Sequence, residues 1–307
     1  MNAEEVKKMR KRIRRKNKIK LAITGWLFIS PVIIGILIFT AVPLVKSFYY
    51  ALSNYNSIKP PEFIGLQNYK DLFKDELFLH SLKITFKYAA ISVPVNLLLS
   101  FSFGLLMNAN IKGIGFFRFL AYLPCVIPGV ATAIIWKDLF NPTSVGRFNQ
   151  LITALGFEPF PWLTDPKTAL FSMFFMGLWG LGGGMLMWLA NLKGISPSYY
   201  EVARLEGANR FQQLWHVTIP FMTPLIFYQL VNGVIGSLQA FGASFLMTGG
   251  GPLNSTRFMG LLIYTTGLKE MNMGYACSMA WVLFAIIMAL TLLLFKSGGW
   301  VYYGEEQ

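Results

Sequence analysis

Charged residues are scarce in this chain of 307 residues, and the residues that usually build metal or disulfide sites are scarcer still. Asp, Glu, Lys and Arg make up 13% of the sequence, whereas about a quarter is usual in a soluble domain. The only two cysteines are Cys125 and Cys277, and the only two histidines, His80 and His216, are far apart in sequence. Two cysteines inside apolar segments provide neither a disulfide framework nor the spacing of a metal site. We therefore expect no metal-binding and no catalytic residues in this chain.

The missing charges leave six long apolar runs. Each run is long enough to cross about 30 Å of hydrocarbon as an α-helix. Hydrophobic residues make up 54% of the chain, and stretches such as Thr168–Leu192 contain no Asp, Glu, Lys or Arg at all. The sequence therefore predicts an all-α, polytopic membrane protein with six transmembrane helices. We place the spans near residues 21–46, 86–110, 117–137, 168–191, 221–247 and 274–295.

Further absences exclude several classes of function. Ion-coupled carriers and proton pumps usually place an ionisable side chain or a broken-helix ion site within the membrane, and the middle of each predicted span lacks carboxylates and lysines. No G-x-x-x-x-G-K-[ST] segment is present, so the chain shows no nucleotide-binding loop of its own. Neither H-E-x-x-H nor G-x-S-x-G occurs, which argues against a membrane enzyme. A transporter with this sequence would draw its energy from another protein.

The net charge of +13 is concentrated at the start of the sequence. Ten of the 27 Lys and Arg residues lie within residues 1–20, which we interpret as a basic cytoplasmic tail that orients the first span rather than as an RNA-binding arm. With this tail inside, the predicted inner segments hold 16 of the 27 Lys and Arg residues, although the outer segments are longer. Positive charge is typical of the cytoplasmic side. Both termini are therefore predicted to be cytoplasmic, residues 21–307 to form the transmembrane domain, and no nucleic-acid partner is expected.

One inner loop, residues 193–220, carries a charged and amphipathic stretch between two apolar runs. Its sequence YYEVARLEGANRFQQLWHVTIP predicts a helix from about Ser198 to Gln212, followed by a turn and a stop at Pro220. A glycine within a helix costs about 1 kcal/mol relative to alanine, so Gly207 in this helix indicates a close contact with another surface. A helix lying on the lipid headgroups is the alternative. These properties alone do not distinguish the two.

The same stretch resembles the EAA loop of the membrane subunits of binding-protein-dependent ABC importers. That loop has the pattern E-A-A-x-x-x-G followed by I-x-L-P, and this chain has Glu201-Val202-Ala203, Gly207 and Val217-Thr218-Ile219-Pro220. The resemblance implies a coupling helix that docks on a separate cytoplasmic ATPase, with ATP and magnesium bound by that partner and no cofactor in this chain. The residues that it assigns to coupling are Glu201, Ala203, Arg204, Glu206, Gly207, Ala208 and Arg210.

Other segments are similar to the sugar-type permeases related to the maltose and glycerol-3-phosphate importers. They are FIGLQNYKDLF at Phe63–Phe73, YLPCVIPGVATAIIWKDLFN at Tyr122–Asn141, MTGGGPLNSTRF at Met247–Phe258 and WVYYGE at Trp300–Glu305. The resemblance implies the type I transmembrane fold of ABC importers, embedded in the lipid bilayer of a bacterial or archaeal cytoplasmic membrane. It implies a transporter subunit rather than an enzyme. Its expected partners are a second, homologous permease in a heterodimer, a cytoplasmic ATPase dimer, an extracytoplasmic solute-binding protein and a sugar as substrate.

A sugar site within charge-free spans depends on amides, hydroxyls, aromatic rings and backbone exposed by glycine. The fifth span provides such groups at Gln229, Asn232, Ser237 and Gln239. Polar residues in spans often only hold helices together, which is the interpretation that we give to Asn96 in the second span. Resemblance to the maltose permease implies that the sugar faces six positions in the third, fourth and fifth spans. These positions are Cys125, Gly129, Trp179, Gly183, Ser237 and Gln239.

Two functions from different classes are thus open at this point. The resemblance favours the membrane subunit of an ATP-driven sugar importer, which forms half of the translocation path. The alternative is a non-transport membrane scaffold whose inner-loop helix binds lipid. An ATPase partner docked on residues 193–220 would distinguish the first function from the second.

Overall fold

The computed structural model describes residues 3–143 and 145–302 of the chain, with side chains from residue 17 onward. Within these residues the chain is mostly α-helical. The α-helices are α1 (Ala3–Ile36), α2 (Val42–Ala51), α3 (Gln67–Leu72), α4 (Glu76–Met107), α5 (Ile114–Val126), α6 (Gly129–Leu139), α7 (Arg147–Ala154), α8 (Pro166–Gly177), α9 (Gly182–Gly194), α10 (Pro197–Leu205), α11 (Arg210–Gln213), α12 (Ile219–Leu238), α13 (Met259–Tyr264) and α14 (Met273–Lys296).

Short helical turns of other types extend or connect these helices. The π-helical turns are Leu37–Ala41, Leu214–Thr218, Ser244–Thr248 and Thr265–Lys269, and the 3-10 turns are Leu178–Gly180 and Gly298–Trp300. A two-stranded antiparallel sheet follows α2, in which β1 (Ser53–Asn54) pairs with β2 (Glu62–Phe63). Because the sheet is so short, the helices alone determine the architecture.

Four helices are long and apolar enough to cross a membrane. They run over Asn17–Ala51, Glu76–Met107, Arg210–Leu238 and Met273–Trp300. Two further pairs of shorter helices qualify only when each bent pair counts as one span, which gives up to six spans in the described part of the chain. These pairs are Ile114–Val126 with Gly129–Leu139, bent by 96°, and Pro166–Gly180 with Gly182–Gly194, bent by 45°. The chain is therefore a mostly helical protein with four to six candidate membrane spans.

The 96° bend between α5 and α6 lies at Ile127 and Pro128. Proline has no N–H to donate and disfavours helical geometry in the residue before it. Accordingly, Ile127 is extended, with a ψ of 126°, and Pro128 precedes the first residue of α6. The single span predicted at 117–137 is thus two helices of 13 and 11 residues, each shorter than the roughly 20 residues that a crossing helix needs.

The helix at the fifth predicted span, 221–247, has different ends. It begins at Arg210 and ends at Leu238, so it passes through Pro220, where the sequence predicted a stop. Pro220 follows the π-helical turn Leu214–Thr218. Such a widened turn accommodates the missing proline N–H without ending the helix. The predicted inner loop is therefore shorter, and the helix longer, than the apolar run indicates.

Helices α4, α9 and α12 pack together at the centre of the structure. Trp188 of α9 is fully buried, and its indole Nε1 donates a 3.1 Å hydrogen bond to Ser100 Oγ of α4. The two helices approach closely at Gly104, where a Cβ would lie 2.5 Å from the Cβ of Trp188. Near the periphery, Trp281 of α14 donates a hydrogen bond to Ser47 Oγ of α2. Small residues and buried hydroxyls thus join helices, as is common in membrane proteins.

The connections between helices gather at two opposite ends of the bundle. The predicted inner end contains residues 108–113, 195–209 and 298–302, and the predicted outer end contains residues 52–75, 140–165 and 248–258. At the inner end, the N–H of Tyr302 donates a 2.8 Å hydrogen bond to Thr223 Oγ1. At the outer end, the N–H of Gly274 donates a 2.9 Å hydrogen bond to the Tyr55 carbonyl. These two groups of connections are the ones that the sequence analysis assigns to the cytoplasmic and the outer side.

The first long helix stands apart from the bundle. The most apolar stretch of Asn17–Ala51 buries no residue within the described chain, and only its last part, α2, packs against α14. Residues 1–2 and the side chains of residues 3–16 lie outside the described part, so the basic tail at 1–20 stays a prediction. The end of the WVYYGE segment, residues 303–305, lies outside it as well.

Candidate functional site

Two short helices form a hairpin at the predicted inner end, which we call the inner hairpin (residues 197–213). Its first helix, α10, begins with Pro197 in the first turn, where a missing N–H leaves no helical bond unmade. Its second helix, α11, continues without a break into α12. None of the nine residues of α10, all of which the structure describes, is buried. The inner hairpin therefore stands out from the helical bundle.

The turn of the inner hairpin depends on Gly207. Its φ of +84° is left-handed, a conformation that glycine adopts without the steric penalty of a Cβ. The N–H of Gly207 donates a 3.0 Å hydrogen bond to the Arg204 carbonyl, and the N–H of Ala208 donates a 2.9 Å bond to the Ala203 carbonyl. These two bonds end α10 in a Schellman motif. The prediction that Gly207 lies within a helix is wrong, because the glycine is required for the backbone of a turn.

The close contact with another surface that was predicted at Gly207 is not made within this chain and stays a prediction. In the described chain, no atom lies within 4 Å of the point that a Cβ on Gly207 would occupy. The next helix starts at once with a capping box, in which the N–H of Gln212 donates a 2.9 Å bond to Asn209 Oδ1. In return, the N–H of Asn209 donates a 2.8 Å bond to Gln212 Oε1. The single helix predicted for Ser198 to Gln212 is therefore two capped helices.

The predicted coupling residues all belong to this exposed hairpin. Tyr199, Val202 and Leu205 follow one another at intervals of three residues and form an exposed apolar stripe along α10. The Leu205 side chain, which the sequence analysis did not select, is 88% exposed. A patch of this kind marks a surface that binds another protein or lipid. Around the stripe, Glu201, Arg204, Glu206, Gly207 and Arg210 are exposed and Ala203 and Ala208 are half-buried.

A cavity of about 490 Å³ lies between α4, α9 and α12. None of the described residues that line it carries a charge, and five of them are glycines. Its polar groups are the hydroxyls and amides of Tyr88, Ser92, Asn96, Ser100, Gln229, Asn232 and Ser237. Such groups both donate and accept hydrogen bonds, and the glycines leave space beside the backbone. The cavity is therefore suited to a neutral, polar molecule.

Four of the seven predicted path residues lie in or beside this cavity. Asn232 and Ser237 line it. Cys125 lies at its border, where the thiol contacts the carbonyl of a lining residue, Gly180, at 3.6 Å. Gly183 adjoins Cys125, since a Cβ there would lie 3.4 Å from the cysteine Sγ. The structure thus brings residues from three predicted spans together, although nothing in it tests their contact with a substrate.

The other three predicted path residues do not line this cavity. The Trp179 side chain is 48% exposed and meets the Trp136 ring edge-on, with ring centroids 5.6 Å apart. Gly129 begins α6 just after the bend. Gln239 follows the end of α12 at Leu238 and lines a second, mostly apolar cavity. A role of these three residues in the sugar path therefore stays a prediction.

Two further amides line the wall of the cavity, and the sequence analysis had assigned neither of them to the sugar path. Asn96 lines it, and its Nδ2 donates a 2.8 Å hydrogen bond to the Ser92 carbonyl of its own helix rather than to a neighbouring helix. This hydrogen bond therefore does not join two helices, which is the role that was expected for Asn96. Gln229 lines the cavity as well, from the same face of α12 as Asn232 and Gly236. That spacing of three and four residues places the three residues on one side of the helix.

Comparison with known proteins identifies the family. Residues 96–302 match the family model described as "Binding-protein-dependent transport system inner membrane component". The chain is 36% identical over 312 residues to the probable ABC transporter permease protein YesP of Bacillus subtilis, a match that covers 100% of this chain and 99% of the relative. It is 30% identical over 286 residues to the trehalose/maltose transport system permease protein MalF of Thermococcus litoralis, covering 92% and 96% of the two chains.

The fold is also known from experiment. A chain in the crystal structure of a bacterial alginate ABC transporter, in complex with an alginate pentasaccharide-bound periplasmic protein, superposes with a TM-score of 0.84 at 22% identity. The match covers 94% of this chain and 99% of that chain. At this identity the likeness concerns the fold alone. Together with the family model and the full-length match to a permease, it shows that the chain belongs to the inner-membrane components of binding-protein-dependent transport systems, the permease subunits of ABC importers.

Proposed function

We propose that this chain is the membrane subunit of an ATP-driven sugar importer in a bacterial or archaeal cytoplasmic membrane. It forms half of the translocation path with a second, homologous permease and receives its sugar from an extracytoplasmic binding protein. A separate ATPase dimer, which binds ATP and magnesium, supplies the driving force, and this chain is not itself an enzyme. The observation that carries the proposal is the inner hairpin, which exposes an apolar stripe at one end of the bundle.

The exposed stripe favours a protein partner at the inner hairpin. Burying a side chain such as Val202 or Leu205 contributes about 1.5–3 kcal/mol, so a groove that covers both recovers a substantial free energy. Glu201 and Arg204 lie beside the stripe and are exposed, which is the polar rim that protein interfaces usually have. These features support docking of the ATPase on α10.

The position of the inner hairpin in the chain supports a role in coupling. It follows α9 directly and leads without interruption into α12. Both helices line the cavity, α9 with Gly184 and α12 with Asn232 and Ser237. Because the hairpin connects two walls of the cavity, a force on the hairpin moves those walls. This connection is the mechanical basis of the proposal.

The distribution of basic residues supports an inner hairpin that faces the cytoplasm. The ten Lys and Arg residues within residues 1–20 are predicted to lie on the same side as the hairpin, together with six others close to the ends of the helices. These six are Lys112, Arg118, Lys193, Arg204, Arg210 and Lys296. Positive side chains near the ends of spans are typical of the cytoplasmic side. On this basis both termini are cytoplasmic and the loops at 52–75, 140–165 and 248–258 face outward.

The proposed substrate class follows from the cavity and from the relatives. Hydroxyls and amides without a lining charge suit the hydroxyl groups of a sugar. The Thermococcus litoralis relative is named for trehalose and maltose. A sugar is therefore the substrate that we assign to this chain.

Reconstitution of the complete transporter tests the proposed function. The chain is co-expressed with its partner permease, ATPase and binding protein, and the sugar is identified by screening that binding protein against mono- and oligosaccharides. We expect the sugar to accumulate in proteoliposomes with ATP and not with a non-hydrolysable analogue. If the ATPase does not co-purify and brominated lipids quench a fluorophore attached at Leu205→Cys, the lipid-binding scaffold is the correct function instead.

Two matched substitutions test the cavity. Asn96→Leu removes a cavity-lining amide, so we expect uptake to fall by about tenfold at low sugar concentration, the effect of losing a hydrogen bond of about 1–1.5 kcal/mol. Gln239→Leu removes an amide that does not line the cavity, and we expect less than about a twofold change. Initial uptake rates over a range of sugar concentrations measure both. A larger effect at Gln239 than at Asn96 would place the sugar elsewhere.

A further inference from the structure

Two contacts tie the exposed helix α10 to the long helix Arg210–Leu238. The ring of Tyr199 packs against Phe221 with centroids 4.6 Å apart. The hydroxyl of Tyr200 shares a 3.0 Å hydrogen bond with Thr218 Oγ1. Among the hydrogen bonds of the described residues, this is the one that connects α10 with the long helix. An aromatic contact allows sliding, whereas a hydrogen bond has a direction, so the Tyr200–Thr218 bond determines the position of α10 along the helix.

Thr218 occupies an unusual place in the long helix. It is the last residue of the π-helical turn Leu214–Thr218 and is buried. Its hydroxyl also lies 3.4 Å from the Gln213 carbonyl, a long bond at the limit of the usual range. Two residues later, Pro220 has no N–H to donate. The helix is therefore weakly bonded at this point, and π-helical turns of this kind often occur at functional sites.

We infer that the Tyr200–Thr218 hydrogen bond is the link through which movement of the inner hairpin alters the long helix at its π-helical turn. This inference rests on the proposed function. When the ATPase moves α10, Tyr200 pulls on Thr218, and the widened turn absorbs the change in helical geometry. The part beyond the turn, Ile219–Leu238, then shifts with the cavity-lining Asn232 and Ser237. Tyr200 and Thr218 are positioning residues in this mechanism, since neither lines the cavity.

Single-hydroxyl variants test the link. Tyr200→Phe and Thr218→Val each remove one partner of the bond and preserve the shape of the side chain. The complete transporter is reconstituted in a background in which Cys125 and Cys277 are serine and Ser237→Cys provides a reporter in the cavity. Two quantities are measured: ATP hydrolysis as phosphate release, and the change in the rate of maleimide labelling of the reporter on addition of ATP and vanadate. Tyr228→Phe, at an exposed tyrosine of α12 that does not line the cavity, is the control.

We expect ATP hydrolysis to stay within about twofold of the parent in both variants, while the ATP- and vanadate-dependent change in labelling falls by roughly two- to tenfold, the range for loss of one hydrogen bond. The double variant should be no worse than either single variant, because both remove the same bond. The control should behave as the parent does. ATPase co-purification and the thermal unfolding midpoint are measured for every variant and should not change.

The outcomes separate this inference from the proposed function. If the reporter in the parent complex does not respond to ATP and vanadate, the proposed function fails and the inference fails with it. If the parent responds and both variants respond equally well, only the link through Tyr200 and Thr218 is refuted. Effects that multiply in the double variant would show two independent hydroxyls and refute the link. Loss of the co-purified ATPase would show that the hydroxyls serve docking and would also refute it.

Discussion

The inner hairpin and the outer loop (residues 248–258) have similar exposed turns but differ in how deeply the adjoining residues are buried. Both turn through left-handed glycines, Gly207 in one and Gly249 in the other. Both expose a leucine almost completely, Leu205 at 88% and Leu253 at 85%. In the outer loop, however, Thr256 is fully buried, whereas no residue of α10 is buried among the described residues. Two similar exposed turns are thus attached to segments that differ in burial.

Hydrogen bonds make the outer loop rigid. The hydroxyls of Thr248 and Thr256 lie 2.7 Å apart, and the Thr256 hydroxyl donates a 2.7 Å bond to the Gly251 carbonyl. Below the loop, the N–H of Met259 donates a 2.9 Å bond to Thr85 Oγ1 on α4. Buried networks of this kind fix a unique conformation, whereas segments with few buried contacts open and move readily. The comparison teaches that the outer loop is held by a buried hydrogen-bond network, whereas the inner hairpin is held to the rest of the chain by few contacts.

Charge at the two exposed leucines gives the largest expected effect. Leu205→Asp places a charge in the surface that we propose docks on the ATPase, so we expect the affinity for the ATPase to fall by about 10- to 100-fold, as for loss of a buried leucine. Leu253→Asp, an equally exposed change at the other end, should leave that affinity unaltered. Titration of the purified permease pair with ATPase measures both. Equal losses would show that the two tips do not have separate roles.

Loss of the buried threonine hydroxyl should destabilise the outer loop. Thr256→Val leaves the Gly251 carbonyl and the Thr248 hydroxyl without this partner, so we expect the free energy of unfolding to fall by about 1–3 kcal/mol. Ser255→Ala is a matched control, because the neighbouring Ser255 hydroxyl is buried without a hydrogen-bond partner in the described chain. Unfolding in detergent followed by fluorescence measures both. A loss as large in Ser255→Ala would remove the network from the explanation.

Substitution of the hairpin glycine should have the smallest effect. Gly207→Ala places a Cβ on a left-handed residue, so we expect a cost of about 1 kcal/mol and a roughly fivefold weaker affinity for the ATPase. Gly207→Asn should cost less, because asparagine visits this conformation more readily. The same titration measures both variants. If alanine and asparagine behave identically, the backbone conformation of the turn is not what matters there.

Apolar runs locate the spans because residence in lipid depends on composition, but the ends of helices depend on local bonds that composition does not report. Helix α4 starts at Glu76 because Asp75 caps it, accepting hydrogen bonds from the N–H groups of Leu77 and Phe78. Its early turns carry Lys83 and Lys87, and a search for charge-free runs therefore begins the span too late. Local capping decided this boundary, not hydropathy.

The site could be predicted in part, for reasons that single residues make clear. The motif around Glu201 and Gly207 located the inner hairpin, but a sequence shows that a residue is glycine and does not show its φ. In the cavity, Asn232 followed from its polarity within an apolar span. Gln239 lies just beyond the end of α12 at Leu238, so it does not share the helical face of Asn232. Asn96 could not be assigned to the cavity from the sequence, because the sequence does not show which side of α4 meets α12.

The sharp bend at Ile127 and Pro128 has a consequence for the energy supply of the cell. Each of the two helices that meet there reaches across only about 20 Å or less, and irregular backbone at that depth is tolerated only where protein or water surrounds it. Water in such a position would conduct protons and dissipate the membrane potential. A bend at membrane depth therefore requires that protein rather than water surrounds Ile127 and Pro128 if the membrane is to stay sealed to protons.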